Sequence, residues 1–272
     1  MMGACPLTSD RASLALGARC DSIGAIMTLE ENEFVDLQTP TGPMRTYIFR
    51  PKADGRYPGI LFYSEIFQVT APIRRTAALI AGHGYVVAVP EIYHEFEPPG
   101  AVLPYDQAGA DRGNALKKEK ELRALDGDSR AVLDHLKSHA ACTGRLGSLG
   151  ICIGGHLSFR AAAKNQEVLA AVCFYATDLH TATLSKSGDD TLTAAGEIKG
   201  ELLMFWGRQD PHVPLEGRKK IYDTLCQKNL NFTWHEFNAQ HAFLRDEGPR
   251  YDPALALQCY SMTLELFHRK LT

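Results

Sequence analysis

Two stretches of this chain are apolar without interruption over the length of a strand: Gly59-Ile60-Leu61-Phe62-Tyr63 and Tyr85-Val86-Val87-Ala88-Val89. A strand that faced water on one side would alternate polar and apolar residues. A continuous run belongs to a strand covered on both faces, which is the setting of a mostly parallel sheet sandwiched by helices. Between the two runs, Ile73, Ala77 and Ile80 repeat at helical spacing, and Gly82 and Gly84 end that helix. The unit reads βαβ, and it continues down the chain. Strands are expected over Arg145 to Ile151, Val168 to Tyr175, Leu202 to Trp206 and Phe232 to Phe237, with helices near 153, 215 and 253. Asp252-Pro253 supplies an N-cap and first turn, and Leu255, Cys259, Met262 and Leu266 form the apolar stripe of the last helix. Phe34 to Gln38 and Met44 to Arg50 read as an antiparallel hairpin around Thr41-Gly42-Pro43. Residues 95 to 114, with Pro98-Pro99-Gly100 and Pro104, read as a loop able to cap a pocket, ahead of a charged helix near 115 to 139. The expected class is α/β, a mostly parallel central sheet with helices on both faces.

A chain of 272 residues is compatible with one large core, so residues 27–272 are read as a single domain behind an N-terminal extension, 1–26, of unknown role. Met27 is an alternative functional start. The formal net charge of −3 offers no electrostatic footprint for nucleic acid or an anionic membrane, which leaves a small molecule as the expected partner of a monomer or homodimer. The longest apolar runs fall short of a membrane span. Seven cysteines lie scattered without paired spacing, which supports neither a disulfide framework nor a zinc site and fits a reducing, cytoplasmic setting. His135 and His139 stand four apart but lack a third ligand, and no G-x-G-x-x-G follows a strand, so neither metal nor cofactor is expected.

The sharpest chemical signal is Gly150-Ile151-Cys152-Ile153-Gly154-Gly155, at the junction of an expected strand and an expected helix. A nucleophile presented on such a turn needs small flanking residues, because strand and helix backbones approach too closely for a Cβ. The composition gives only ~0.05 chance matches to G-x-C-x-G in a chain of this length. A lone buried cysteine is usually inert. The downstream partners argue otherwise: Asp210 follows the strand ending at Trp206, and His241 follows the strand ending at Phe237. Nucleophile, acid and base thus succeed one another just past the carboxyl ends of strands, where open α/β sheets build their sites. An unperturbed thiol is only a few per cent ionised at pH 7, so His241 would take its proton and Asp210 would fix the imidazole tautomer. Glu65, an isolated carboxylate between Tyr63 and Phe67 at the end of an apolar strand, reads as a poised site group.

These pieces resemble the dienelactone hydrolase family, cysteine members of the α/β-hydrolase superfamily, over roughly residues 30 to 271. The matching segments are Ser64-Glu65-Ile66-Phe67, Val89-Pro90-Glu91-Ile92-Tyr93, the Cys152 elbow, Gly207 to Pro214, and His241-Ala242-Phe243 with Arg245. The resemblance implies Cys152 as nucleophile, His241 as base, Asp210 as its orienter and Glu65 as the carboxylate contacting the resting thiol. It implies an oxyanion hole of the Ile153 and Ile66 N–H groups, and Arg245 as partner of a substrate carboxylate. Arg112 is the candidate for a second arginine, and Phe67, Tyr93, Tyr175 and Phe243 for pocket walls. His156 after the glycine pair and a polar insertion over 178 to 199 depart from the family pattern. The expected function is hydrolysis of a small, anionic ester or lactone through a thioester. The competing readings are a broad carboxylesterase or thioesterase and a non-catalytic ligand-binding or redox-sensing thiol protein.

Overall fold

The computed structural model describes residues 28–272, so the extension read over 1–26 and the start at Met27 lie outside the described residues. Eight strands form one sheet in the order β1-β2-β4-β3-β5-β6-β7-β8: β1 (Leu29–Thr39), β2 (Gly42–Pro51), β3 (Tyr57–Tyr63), β4 (Val86–Pro90), β5 (Cys142–Ile151), β6 (Val168–Phe174), β7 (Glu201–Gly207) and β8 (Phe232–Phe237). The β1–β2 hairpin is antiparallel, with Thr39 opposite Gly42, and β2 meets β4 antiparallel. Every other pairing is parallel. The expected α/β class is what the chain adopts.

The unbroken apolar runs are explained by the two cores. Along β3, Ile60 and Phe62 pack on one face and Leu61 and Tyr63 on the other; along β4, Val87 and Val89 oppose Val86 and Ala88. One core is closed by α1 (Ala71–Ala81) and α6 (Pro253–Leu271) through Ile73, Ala77, Ile80, Phe267 and Leu271. The other is closed by α3 (Leu122–Ser138), α4 (Ile153–Lys164) and α5 (Leu215–Gln227) through Val132, Leu136, Leu157 and Ile221. Ile60, Leu61 and Phe62 are completely buried, and each contributes about 1.5–3 kcal/mol of transfer free energy. Asp252 caps α6 by accepting from the Leu255 N–H at 3.0 Å, as its place before Pro253 implies. Among the described residues, no helix is long and apolar enough to cross a membrane.

The segment expected to be a loop followed by one helix is instead two helices, α2 (Gln107–Glu119) and α3. Asp106 starts α2 by accepting from the Gly109 N–H at 2.8 Å. The side of α2 that packs inward is Gly109, Gly113 and Leu116, which leaves almost no apolar periodicity to read. Gly113 is there because α2 lies against the end of β3: a Cβ on it would come within 2.6 Å of the Ile66 carbonyl oxygen. The break between the helices is Lys120, extended and buried, whose Nζ lies 2.7 Å from both Glu95 and Asp128 carboxylates.

Candidate active site

β5 passes into α4 through Cys152, which has φ 63° and ψ −121°, a conformation that a residue with a side chain adopts only under constraint. The constraint is steric. A Cβ on Gly150 would sit 1.8 Å from the Gly154 carbonyl oxygen, and one on Gly154 would sit 2.3 Å from the Tyr63 carbonyl oxygen. The flanking glycines are therefore required by the approach of β3, β5 and α4, and the turn they permit aims the cysteine side chain out of the sheet. Cys152 lines a cavity of about 300 Å³ together with Glu65, Ile66, His241 and Arg245. This is the lower end of the size range for small-ligand pockets.

Asp210, just past β7, accepts the His212 backbone N–H at 2.8 Å on Oδ1 and faces His241 Nδ1 at 2.7 Å with Oδ2. Burial pushes the Asp210 carboxyl up, but the hydrogen bond and charge of His241 more than offset it, and the carboxyl stays below its ordinary range. An ionised Asp210 can only accept, so Nδ1 carries the proton and donates it, leaving Nε2 with a free lone pair. Burial also holds the His241 imidazolium below its ordinary pKa, against the hydrogen bond to Asp210, so the ring is a neutral base near pH 7. Beneath it, the Tyr175 ring packs edge-on at 4.8 Å, and Phe243 packs on Tyr175 at 5.1 Å.

Burial, and then the charge of Glu65, push the Cys152 thiol up to about 12, against the Ile153 N–H, Lys117 and Thr177. The resting sulfur is therefore a thiol. Its hydroxyl neighbour is Thr177 Oγ1 at 3.9 Å, and among the described residues no hydrogen bond joins the sulfur to Glu65 or to His241. Glu65 instead accepts from Tyr105 Oη at 3.1 Å and lies 3.8 Å from the Arg245 guanidinium, which rests over the Tyr105 ring at 4.3 Å. Burial raises the Glu65 carboxyl, with Arg245, Tyr105 and Arg250 opposing.

A sequence profile of the dienelactone hydrolase family matches residues 44–271. The chain belongs to the dienelactone hydrolase family. It is 42% identical over 251 residues to a Saccharomyces cerevisiae protein provisionally named carboxymethylenebutenolidase, covering 88% of this chain and 91% of that one. It is 28% identical over 220 residues to the carboxymethylenebutenolidase of Pseudomonas putida, covering 80% of this chain and 89% of that one. Among solved structures, a dienelactone hydrolase-like promiscuous phosphotriesterase from metagenomic libraries superposes with a TM-score of 0.73 at 18% identity, over 91% of this chain and 100% of that one. That likeness concerns the fold, which is the α/β-hydrolase fold.

Within this family frame, several expected site residues fall elsewhere. Arg112 does not reach the cavity: its side chain is 48% exposed and pairs with Glu97 at 2.7 Å, because it lies on the outer side of α2. Tyr93, Tyr175 and Phe243 are not cavity walls. Tyr93 is buried under α2 and donates to the Gly113 carbonyl at 3.1 Å, while the other two support His241 from below. Phe67 does line the cavity, as does His212, whose ring lies 4.6 Å from that of His241. Tyr105, Asn114, Lys117, Asp178 and Arg250 were not anticipated. The first three sit on or just before the helix hidden by its glycines, and Asp178 opens the insertion.

His156 and the insertion prove to be one feature. His156 is buried behind the elbow, with Nδ1 2.9 Å from the Thr177 carbonyl oxygen. Its Nε2 lies 3.1 Å from Asp189 Oδ2 in the insertion, close enough to pair electrostatically though not aligned as a hydrogen bond. Burial raises the Asp189 carboxyl, but His156 more than offsets this and holds it low.

The position of Glu65 has a measurable consequence. Its charge raises the thiol without a hydrogen bond to the sulfur, so Glu65→Gln should speed iodoacetamide labelling of Cys152 in the free protein. The expected gain near pH 8 is on the order of tenfold, the equivalent of one pKa unit. Labelling that is unchanged or slower would show that Glu65 acts on loop geometry and not on the thiol.

Proposed function

We propose that the protein hydrolyses a small anionic lactone or ester through a cysteine nucleophile and a thioester intermediate. The observation that carries this reading is Cys152 on a strained elbow in one cavity with a His241 whose Nδ1–H is committed to Asp210. Nε2 accepts the thiol proton as sulfur attacks the carbonyl carbon, and the Ile153 and Ile66 N–H groups receive the oxyanion. Collapse expels the alkoxide, which takes the proton from His241 and leaves the acyl group on Cys152. Water, deprotonated by His241, then attacks the thioester and releases the acid, restoring thiol and neutral imidazole. Because the resting sulfur is a thiol and the imidazole is neutral, the proton passes to Nε2 at the moment of attack rather than beforehand. In the same cavity, Arg245 and Arg250 offer guanidinium groups to a substrate carboxylate.

The test is a panel of lactones and aryl esters with and without a terminal carboxylate. Carboxylate-bearing substrates are expected to be preferred. Arg245→Ala should lower kcat/KM for them by ~10- to 100-fold, the value of a charge-assisted hydrogen bond, and affect neutral aryl esters far less. Equal loss for both classes would show that Arg245 supports the His241 loop and that the enzyme is a broad carboxylesterase. No turnover of any member would favour a non-catalytic thiol protein.

A further inference from the structure

The insertion after β6 does not hang free over the site; it is built into it. Arg160 of α4 holds Asp190 at 2.7 Å and Thr191 at 2.9 Å, Lys220 of α5 donates to the His180 carbonyl at 2.6 Å, and the Lys186 N–H donates to the Lys118 carbonyl of α2 at 2.7 Å. Its own Leu179, Leu184 and Ala195 are buried. Its first residue, Asp178, has φ 64°, and the Thr181 and Ala182 N–H groups close a turn onto its carbonyl. A non-glycine residue held in this region is a strained choice that surrounding contacts must impose. What the strain achieves is placement: Asp178 joins Lys117 of α2 on the wall of the cavity that holds Cys152.

Lys117 Nζ donates to Asp178 Oδ2 at 2.8 Å, and Thr183 Oγ1 donates to Asp178 Oδ1 at 3.0 Å. The two side chains are only 11% and 16% exposed, and among the described residues Nζ has no other acceptor. An ammonium has three N–H donors and a carboxylate more than one lone pair on each oxygen, so the pair keeps both an unused donor and an unused acceptor. The pair is also distinct from the arginine side of the cavity. There Arg245 lies 3.8 Å from Glu65, whereas Lys117 is paired with Asp178, and both pairs line the cavity with Cys152.

We propose that Lys117 and Asp178 form a second polar subsite that takes a hydroxyl on the acyl part of the substrate. A hydroxyl fits because it accepts from Nζ and donates to a carboxylate oxygen, whereas a net-neutral ion pair gives a carboxylate little and a methylene nothing. The acyl side is indicated because Thr177, immediately before Asp178, lies 3.9 Å from the sulfur that would carry the acyl group. This deepens the proposed hydrolysis at Cys152 and rests on it: the insertion becomes the element that selects a hydroxylated acyl group.

The test compares kcat/KM for p-nitrophenyl butanoate, p-nitrophenyl 3-hydroxybutanoate and mono-p-nitrophenyl succinate. The hydroxylated ester is expected to exceed butanoate by tenfold or more, since a site built around a hydroxyl leaves its own polar groups unpaired without one. Lys117→Met should bring that ratio to within about twofold. Asp178→Asn leaves the ammonium uncompensated, so it should raise succinate relative to butanoate by about tenfold, a change of opposite sign that a merely loosened wall cannot produce. A wild-type ratio near one, or ratios unmoved in both variants, would overturn the subsite. If butanoate turnover depends on Cys152 while the hydroxyl earns no preference, only the subsite fails; if turnover survives Cys152→Ala, the hydrolytic reading beneath it fails.

Discussion

In Cys152→Ala, ester turnover is expected to fall by at least ~10⁴-fold, to the level of the uncatalysed reaction plus whatever the cavity's hydrogen-bond donors supply. The fold should persist, because the strained turn is imposed by the packing around Gly150 and Gly154 and alanine removes only one sulfur atom from it. Rapid-quench mass spectrometry with a p-nitrophenyl ester should show an acyl adduct on the wild-type chain and none on the variant. Cys152→Ser should remain severely impaired. The surroundings already push a thiol up to about 12, and a serine hydroxyl is far less acidic than a thiol before any such push. Ordinary turnover by Cys152→Ala, with an unchanged melting temperature, would remove Cys152 from the reaction.

The second large effect is expected at Asp210. Asp210→Asn keeps the shape but offers an NH₂ or a neutral carbonyl where an ionised carboxylate now receives Nδ1–H at 2.7 Å. The imidazole can then settle with its proton on Nε2, where it cannot act as a base, and its cation loses its counter-charge. A drop in kcat of ~10³- to 10⁴-fold is expected. The pH profile adds a signed check. In the wild type the His241 cation is already disfavoured by burial, so activity is present above the His241 pKa and lost only as pH falls through a value below the ordinary histidine range. Removing the Asp210 charge disfavours the cation further, so the acid limb of kcat/KM should move to lower pH. An acid limb that stays in place, or moves up, would mean that Asp210 does not stabilise the imidazolium.

The parts of this protein that could be read in the sequence are those whose cause is local. Gly59–Tyr63 and Tyr85–Val89 had to be covered on both faces, and they lie in the centre of the sheet with helices on each side. The glycines around Cys152 announced a tight backbone approach, and a Cβ at Gly150 would indeed collide with the Gly154 carbonyl. Asp210 and His241 were visible because strand ends in a parallel sheet converge, so order along the chain became neighbourhood in space.

What stayed hidden depends on groups far apart in the sequence. Most of α2 read as loop, only its last turn falling in the helix expected from 115, because it packs through Gly109 and Gly113 and carries no apolar stripe. With it were lost the direction of Arg112, which a helix turns outward to Glu97, and the approach of Lys117 to Asp178 across 61 residues. His156 looked like an intrusion until the insertion folded back to place Asp189 beside it. The sequence by itself determined the class of sheet, the elbow and the order of its partners, since each follows from the steric and hydrophobic demands of neighbouring residues. Only the tertiary structure decided which charges surround the sulfur, because a charge acts through distance in space, and that distance exists only once α2 and the insertion have packed over the ends of the strands.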